Sequence, residues 1–165
     1  MLEQTLALIL REGPIRQVLL VRNKKYDVWN GPGGNVDQIV LRDGSHTSEE
    51  LKDGVIRETR EEAGVELNPY TLHRVADIFF YFDRRLEHYV HVFRTFDFSG
   101  SPKPGGEISE LRWFNIDKLP WDEMWPADKY WWPQLLDGKR IRDIVSIHYN
   151  KDGSALEREP IIEFE

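Results

Sequence analysis

Arg57-Glu58-Thr59-Arg60-Glu61-Glu62-Ala63-Gly64-Val65 is the stretch from which the organisation of this chain is read. Glu58, Glu61 and Glu62 stand at i, i+3 and i+4, which share one face of a helix. Three acids crowded on one face repel each other unless something positive lies among them. Hard divalent cations such as Mg²⁺ take oxygen ligands and usually keep waters and substrate phosphates in their shell. The run therefore reads as a metal platform for phosphate chemistry. A solvated acidic face paired with Arg57 and Arg60 is the plainer reading of the same residues.

Outward from this run, Gly64 occupies the position at which helices commonly stop. Upstream, Thr47-Ser48-Glu49-Glu50 fits a capping box, with Thr47 as N-cap and Glu50 three residues on. The spacing predicts a helix over about 48–63, with Leu51, Val55, Ile56 and Thr59 on its less polar side. Gly54 falls mid-helix, where glycine costs about 1 kcal/mol relative to alanine. A close helix-to-strand contact is the expected reason.

Before the helix, Thr5–Leu10 (TLALIL) suits a buried strand, and Gln17–Val21 a second strand forming a hairpin with it. Trp29-Asn30-Gly31-Pro32-Gly33-Gly34 lets the backbone turn sharply and approach a ligand closely. Asp37–His46 reads as an extended loop with a turn at Asp43-Gly44. After the helix, Tyr70–Asp83 and Glu87–Phe98 read as antiparallel strands, and Glu107–Ile116 follows a Pro/Gly loop. Trp121–Leu136 is expected to be partly helical, in short pieces bounded by Pro126 and Pro133. Ile141–Tyr149 and Ala155–Phe164 read as a final strand pair around Asn150–Gly153. With no repeat or linker, residues 1–165 read as one α+β domain built on a mixed sheet.

Composition narrows the function. The 165 residues carry a net charge of −7 and six tryptophans, four of them between Trp121 and Trp132. An acidic chain lacks the basic footprint of a general nucleic-acid binder. The absence of cysteine removes thiolate metal sites, disulfides and cysteine nucleophiles. No apolar run approaches the ~18–20 residues that span a bilayer. The expectation is a cytoplasmic protein, a monomer or weak dimer, acting on a small molecule without membrane or nucleic-acid polymer partners.

The glycine loop, the helix, the acidic run and its closing glycine together resemble the Nudix hydrolase signature. That signature is a glycine, five residues, Glu, seven residues, Arg-Glu, an apolar residue, any residue, Glu-Glu, any residue, Gly and an apolar residue. Glu49, Arg57-Glu58, Glu61-Glu62, Gly64 and Val65 match it, with Thr59 in the apolar slot. Gly34 precedes Glu49 by fifteen positions rather than six, as if about nine residues were inserted between Asp37 and Ser48. The wider match, through His91-Val92-Phe93 and 124–133 (MWPADKYWWP), is to the MutT-homologue branch of oxidised purine nucleoside triphosphatases.

The resemblance implies a Nudix fold, a mixed β-sheet sandwiched between helices. It implies Mg²⁺-dependent hydrolysis (Mn²⁺ being an alternative ion) of purine nucleoside triphosphates such as 8-oxo-dGTP, to monophosphate and pyrophosphate, which sanitises the nucleotide pool. Glu58, Glu61 and Glu62 become the expected metal ligands and catalytic groups. Glu110 becomes an additional ligand or general base, with Glu107 as the alternative, and Arg57 a helix anchor paired with Glu49 or Glu61. Gly33 and Gly34 face the phosphates and metal. Asn30 and Asp128 read the purine edge, Trp125 stacks on it, Phe80 and Phe82 line the pocket, and Thr5 forms its floor. The branch has two adjacent acids after Trp-Pro, and here the first is Ala127, which removes one base contact and loosens selectivity. Other nucleoside diphosphate derivatives (ADP-ribose, dinucleoside polyphosphates, capped RNA) form the second reading, and a non-catalytic Nudix ligand sensor the third.

Overall fold

The computed structural model describes residues 1–165. Its strands and helices are, in chain order, β1 (Leu2–Arg11), β2 (Gln17–Asn23), β3 (Trp29–Asn30), β4 (Gly33–Asn35), β5 (Gln38–Val40), β6 (His46–Ser48), α1 (Leu51–Ala63), β7 (Glu66–Leu67), β8 (His73–Phe82), β9 (Arg85–Thr95), β10 (Phe98–Ser99), β11 (Ile108–Asn115), α2 (Asp128–Leu136) and β12 (Val145–Tyr149). A 3₁₀ turn at Trp121–Glu123 precedes α2. The main sheet runs β11-β2-β1-β9-β8-β12, with β3 added to β2 and β4 to β1. It is mixed, because β1 is parallel to β9 and β12 to β8 while the other pairs are antiparallel.

The apolar run in β1 explains why this strand is central. A strand buried on both faces needs apolar residues at every position rather than at alternate ones. Leu6, Leu8 and Leu10 enter a core shared with Trp131, Trp132 and Leu135 of α2. Ala7 and Ile9 point the other way, into a core shared with Val55 and Ala63 of α1. The expected sheet between helices is what the two cores produce. The hairpin to β2 uses only the end of β1, Leu10 opposite Val18 and Arg11 opposite Gln17. The preceding residues of β1 pair instead with β9, and Gln4–Leu6 also with β4.

Several local expectations are corrected. Helix α1 begins at Leu51, its N-cap is Glu50, and no side chain caps it. Thr47 and Ser48 belong to β6, paired with β5, and the Ser48 hydroxyl accepts a hydrogen bond from the Gln38 amide at 2.9 Å. The supposed loop 37–46 is thus a hairpin arm with its turn at Gly44, and strand pairing outcompetes the capping box. Gly64 ends the helix in the left-handed region (φ 70°), its N–H donating to the Arg60 carbonyl, as expected. Gly54 answers to a different neighbour than the expected strand. A Cβ there would lie 3.1 Å from the Glu49 carboxylate, so the glycine makes room for that side chain. Pro133 lies inside α2 rather than at a boundary. Residues 155–164 form no strand; two isolated bridges, Tyr149 with Leu156 and Ile141 with Phe164, join them to the fold, and Leu156, Ile162 and Phe164 pack against its main core. β12 pairs in parallel with β8 instead of forming a full terminal hairpin.

Candidate active site

The glycine loop and α1 meet across β1. Strand β4 pairs with β1 so that Gly34 lies opposite Thr5 and Gly33 opposite Leu6. A Cβ on Gly33 would stand 2.0 Å from the Thr5 carbonyl oxygen, and one on Gly34 would stand 2.5 Å from the Glu58 carboxylate carbon. At Gly33 a larger residue would collide with the Thr5 backbone, whereas at Gly34 it would meet only the end of the Glu58 side chain. The Gly33 N–H donates to Glu62 Oε1 at 2.7 Å, which ties loop to helix at the acidic face.

Arg57 organises the other acids. Its guanidinium donates to Glu49 Oε1 at 2.7 Å, to Glu58 Oε1 at 2.9 Å and to the Asn35 carbonyl at 3.0 Å. Glu61 and Asp37 stand at 3.3 Å from it. The hydrogen bond from Arg57 holds the Glu49 carboxyl below its ordinary range. Burial pushes Glu58 up despite Arg57. Glu62 has no arginine. Burial, together with the charges of Glu58 and Glu61, pushes it up to about 7 against the one N–H it accepts.

The expected metal ligands share the helix face but do not all converge. Arg57 draws Glu58 and Glu61 to itself, Glu62 turns to Gly33, and no three acidic or histidine side chains enclose a point where an ion could sit. Glu110 is not in a loop. It lies on β11 opposite Arg22 of β2, and its carboxylate pairs with Arg112 at 2.7 Å. The alternative, Glu107, is exposed. The donor set nonetheless fits a hard divalent cation: all donors are carboxylate oxygens, and Glu58 and Glu62 are desolvated enough to gain from positive charge.

Beside this face opens a cavity of about 550 Å³. Glu62, Gly33 and Gly34 line one part of it; Thr5, Asn30, Phe80, Phe82, Trp125 and Asp128 line the rest. Eight of the anticipated residues therefore share a single space with one of the helix acids. Glu58, Glu61, Arg57 and Glu110 lie outside its lining. Phe80 and Phe82 alternate onto one face of β8, and the Phe82 ring meets Trp125 edge to face, 6.3 Å between centroids. Asn30 accepts the Gly31 N–H through Oδ1 at 2.9 Å, which leaves its NH₂ as a donor for the cavity. Asp128 opens α2 and is buried, with Oδ2 lacking any partner. Burial pushes its carboxyl well above the usual range, favouring the protonated form that can donate.

Sequence reasoning missed several cavity residues: Tyr26, His88, Tyr149, Lys151 and Asp152. Tyr149 comes from β12, and its phenol oxygen accepts the Ala127 N–H at 3.1 Å. The turn at 150–153 was legible as a turn, but not as a cavity wall. Gly153 (φ 75°) approaches so closely that a Cβ would meet the Trp125 ring at 2.8 Å. Ala127 itself is fully buried and does not line the cavity.

A glycine loop laid over a carboxylate helix, on a mixed sheet with an adjoining aromatic cavity, defines a class of phosphoanhydride-cleaving domain. The profile of the NUDIX domain matches residues 2–135, and the chain belongs to the Nudix hydrolase family. The oxidized purine nucleoside triphosphate hydrolases of Danio rerio and Mus musculus are each 34% identical to it. The zebrafish match spans 138 residues and the mouse match 140, each covering 83% of this chain and 81% of the relative. An m7GpppN-mRNA hydrolase of Caenorhabditis elegans, dcap-2, is 30% identical over 163 residues, only 19% of its own length. Among solved structures, a MutT protein from Bacillus halodurans superposes with a TM-score of 0.74 at 17% identity, covering all of this chain and 98% of the other, a likeness of fold. Nudix hydrolases use divalent metal ions and act on small-molecule nucleotide substrates. No helix is long and apolar enough to cross a membrane.

Proposed function

We propose that this chain is a Mg²⁺-dependent pyrophosphohydrolase of purine nucleoside triphosphates, oxidised ones such as 8-oxo-dGTP included, releasing monophosphate and pyrophosphate and so clearing damaged nucleotides from the pool. The observation that carries the reading is the continuity of one cavity, from Glu62 and the glycine loop to an aromatic and hydrogen-bonding wall. Its volume falls within the ~300–1,000 Å³ typical of small-ligand sites. The zebrafish and mouse relatives support the choice of substrate.

Glu58, Glu61 and Glu62 would hold Mg²⁺ (or Mn²⁺), which supplies charge neutralisation at the phosphates and an acidified water for attack. Glu62 meets phosphate-side ligands at the cavity wall, while Arg57 keeps Glu58 oriented. Glu110 would need to leave Arg112 to act as ligand or base, so its part in the reading rests on the family resemblance. Trp125, Phe80 and Phe82 clamp the base. Asn30 and the protonated Asp128 offer donors to its edge, and Thr5 closes the floor. With Ala127 contributing no acid, edge recognition falls to fewer groups than in the branch it resembles. In this reading residues 1–165 act as one domain, as a monomer or weak dimer, in the cytoplasm.

The test is pyrophosphate release with Mg²⁺ across 8-oxo-dGTP, 2-hydroxy-dATP, dGTP, dATP, ADP-ribose and a dinucleoside tetraphosphate. Preference in kcat/KM for a purine triphosphate, abolished in Glu58→Gln, is expected. Preference for ADP-ribose or the dinucleotide would overturn the base-pocket assignment, and binding without turnover would make the chain a sensor.

A further inference from the structure

The wall of the cavity formed by β8 and β9 carries two polar side chains, the exposed Glu87 and, deeper, His88. Phe80, Phe82 and Val90 line it, and His88, opposite Phe80 in the ladder, stands among them. Packing does not explain an imidazole there. Its ring meets Phe82 edge to face at 5.8 Å between centroids, a contact any aromatic ring would make. Its Nδ1 is enclosed and has no hydrogen-bond partner in the protein. A buried polar atom left unpaired forfeits the hydrogen bonds it had in water, so such groups are rare unless something else satisfies them. Asp128 and Asn30 contribute from elements on other parts of the wall, α2 and β3.

We propose that His88 is a specificity-determining residue whose imidazole hydrogen-bonds the bound purine from the sheet side, so that the base is read on two sides of the cavity. The inference rests on the purine triphosphate reading of the site. Burial lowers the His88 pKa from the ordinary 6.5, with Glu87 opposing and the chain's N-terminal amine reinforcing the shift. At neutral pH the ring is therefore uncharged and carries one donor and one acceptor. A neutral purine edge, which alternates donors and acceptors, is the complementary chemistry. A half-turn of the ring exchanges Nδ1 with Cδ2 and Nε2 with Cε1 without moving the backbone, so the enclosed position of Nδ1 is one of two that the same rotamer allows.

The experiment compares wild type with His88→Leu, His88→Ala, His88→Asn and His88→Gln on the preferred purine triphosphate, with Mg²⁺, by kcat and KM separately. Asn places its amide near the Nδ1 position and Gln near Nε2. The expected result is a KM raised about tenfold in the Leu and Ala variants with kcat nearly unchanged, the signature of lost ground-state binding. Asn or Gln restores KM to within about threefold, and the one that does identifies the nitrogen used. Wild-type KM in Leu and Ala, or losses in both Asn and Gln as large as in the apolar variants, would overturn the inference. A wild-type enzyme that ignores purine triphosphates altogether would instead overturn the substrate reading, a result the variants do not enter.

Discussion

Replacing Arg57 with methionine separates an anchoring role from a substrate-contacting one. Arg57 bonds Glu49, whose side chain is 11% exposed, and Glu58, 15% exposed, while itself being 23% exposed. Removing it leaves two largely buried carboxylates without their cation. Breaking one buried pair costs about 3–5 kcal/mol, and the surface contacts to Glu61 and Asp37 add ~0–1 kcal/mol each. Solvent access to Arg57 brings the sum to about 3–4 kcal/mol. At about 2–4 °C per kcal/mol for a chain of this size, Tm measured by circular dichroism at pH 7 falls by roughly 10 °C. The sign with pH follows from Glu49. Its folded pKa lies below the ordinary 4.5 because of Arg57, so its stabilising share is present above 4.5 and is lost as pH falls through the folded value. The deficit of the variant therefore shrinks on acidification below 4.5. Activity also falls, because Glu58 loses its hold, so the thermal shift is the discriminating readout. A Tm within about 2 °C of wild type, with activity lost, would refute the anchor and assign Arg57 to substrate.

The raised pKa of Glu62, about 7 against an ordinary 4.5, carries the opposite sign. Without divalent ions the protein loses up to about 3 kcal/mol as pH rises from 4.5 through 7, seen as a falling Tm; Glu62→Gln flattens that slope, and added Mg²⁺ raises Tm at pH 8 in wild type but much less in the variant. The two glycines separate structure from chemistry. Gly33→Ala places its Cβ against the Thr5 backbone and is expected to cost about 3 kcal/mol or more in urea unfolding, because strand pairing must yield. Gly34→Ala displaces only the end of the Glu58 side chain, so Tm changes little while kcat drops about tenfold or more.

Much of the fold was legible because it depended on local chemistry. The unbroken apolar run of β1 announced a buried strand, and the αL glycine at 64 ended α1 where its type and place implied. The spacing of Glu58, Glu61 and Glu62 put them on one face whatever surrounded the helix. The failures came where a partner outside the assumed helix or loop pattern won. Thr47 carries the residue type of a cap, yet the ladder with β5 claims it. Gly54 fits Glu49, a neighbour that no periodicity reveals. Glu110 lies on β11 rather than in a loop, and its carboxylate is taken by Arg112, two residues on and on the same face of that strand.

What the sequence by itself determined was the carboxylate helix, the glycine loop and the central strand, since each follows from side-chain type and spacing along a few turns of chain. Only the tertiary structure decided which acid faces the cavity, that Arg57 engages Glu58 as well as Glu49, and that His88 and Tyr149 join the wall. Those outcomes depend on which strands lie side by side and on how deeply each carboxylate is removed from water, and both are properties of the assembled sheet.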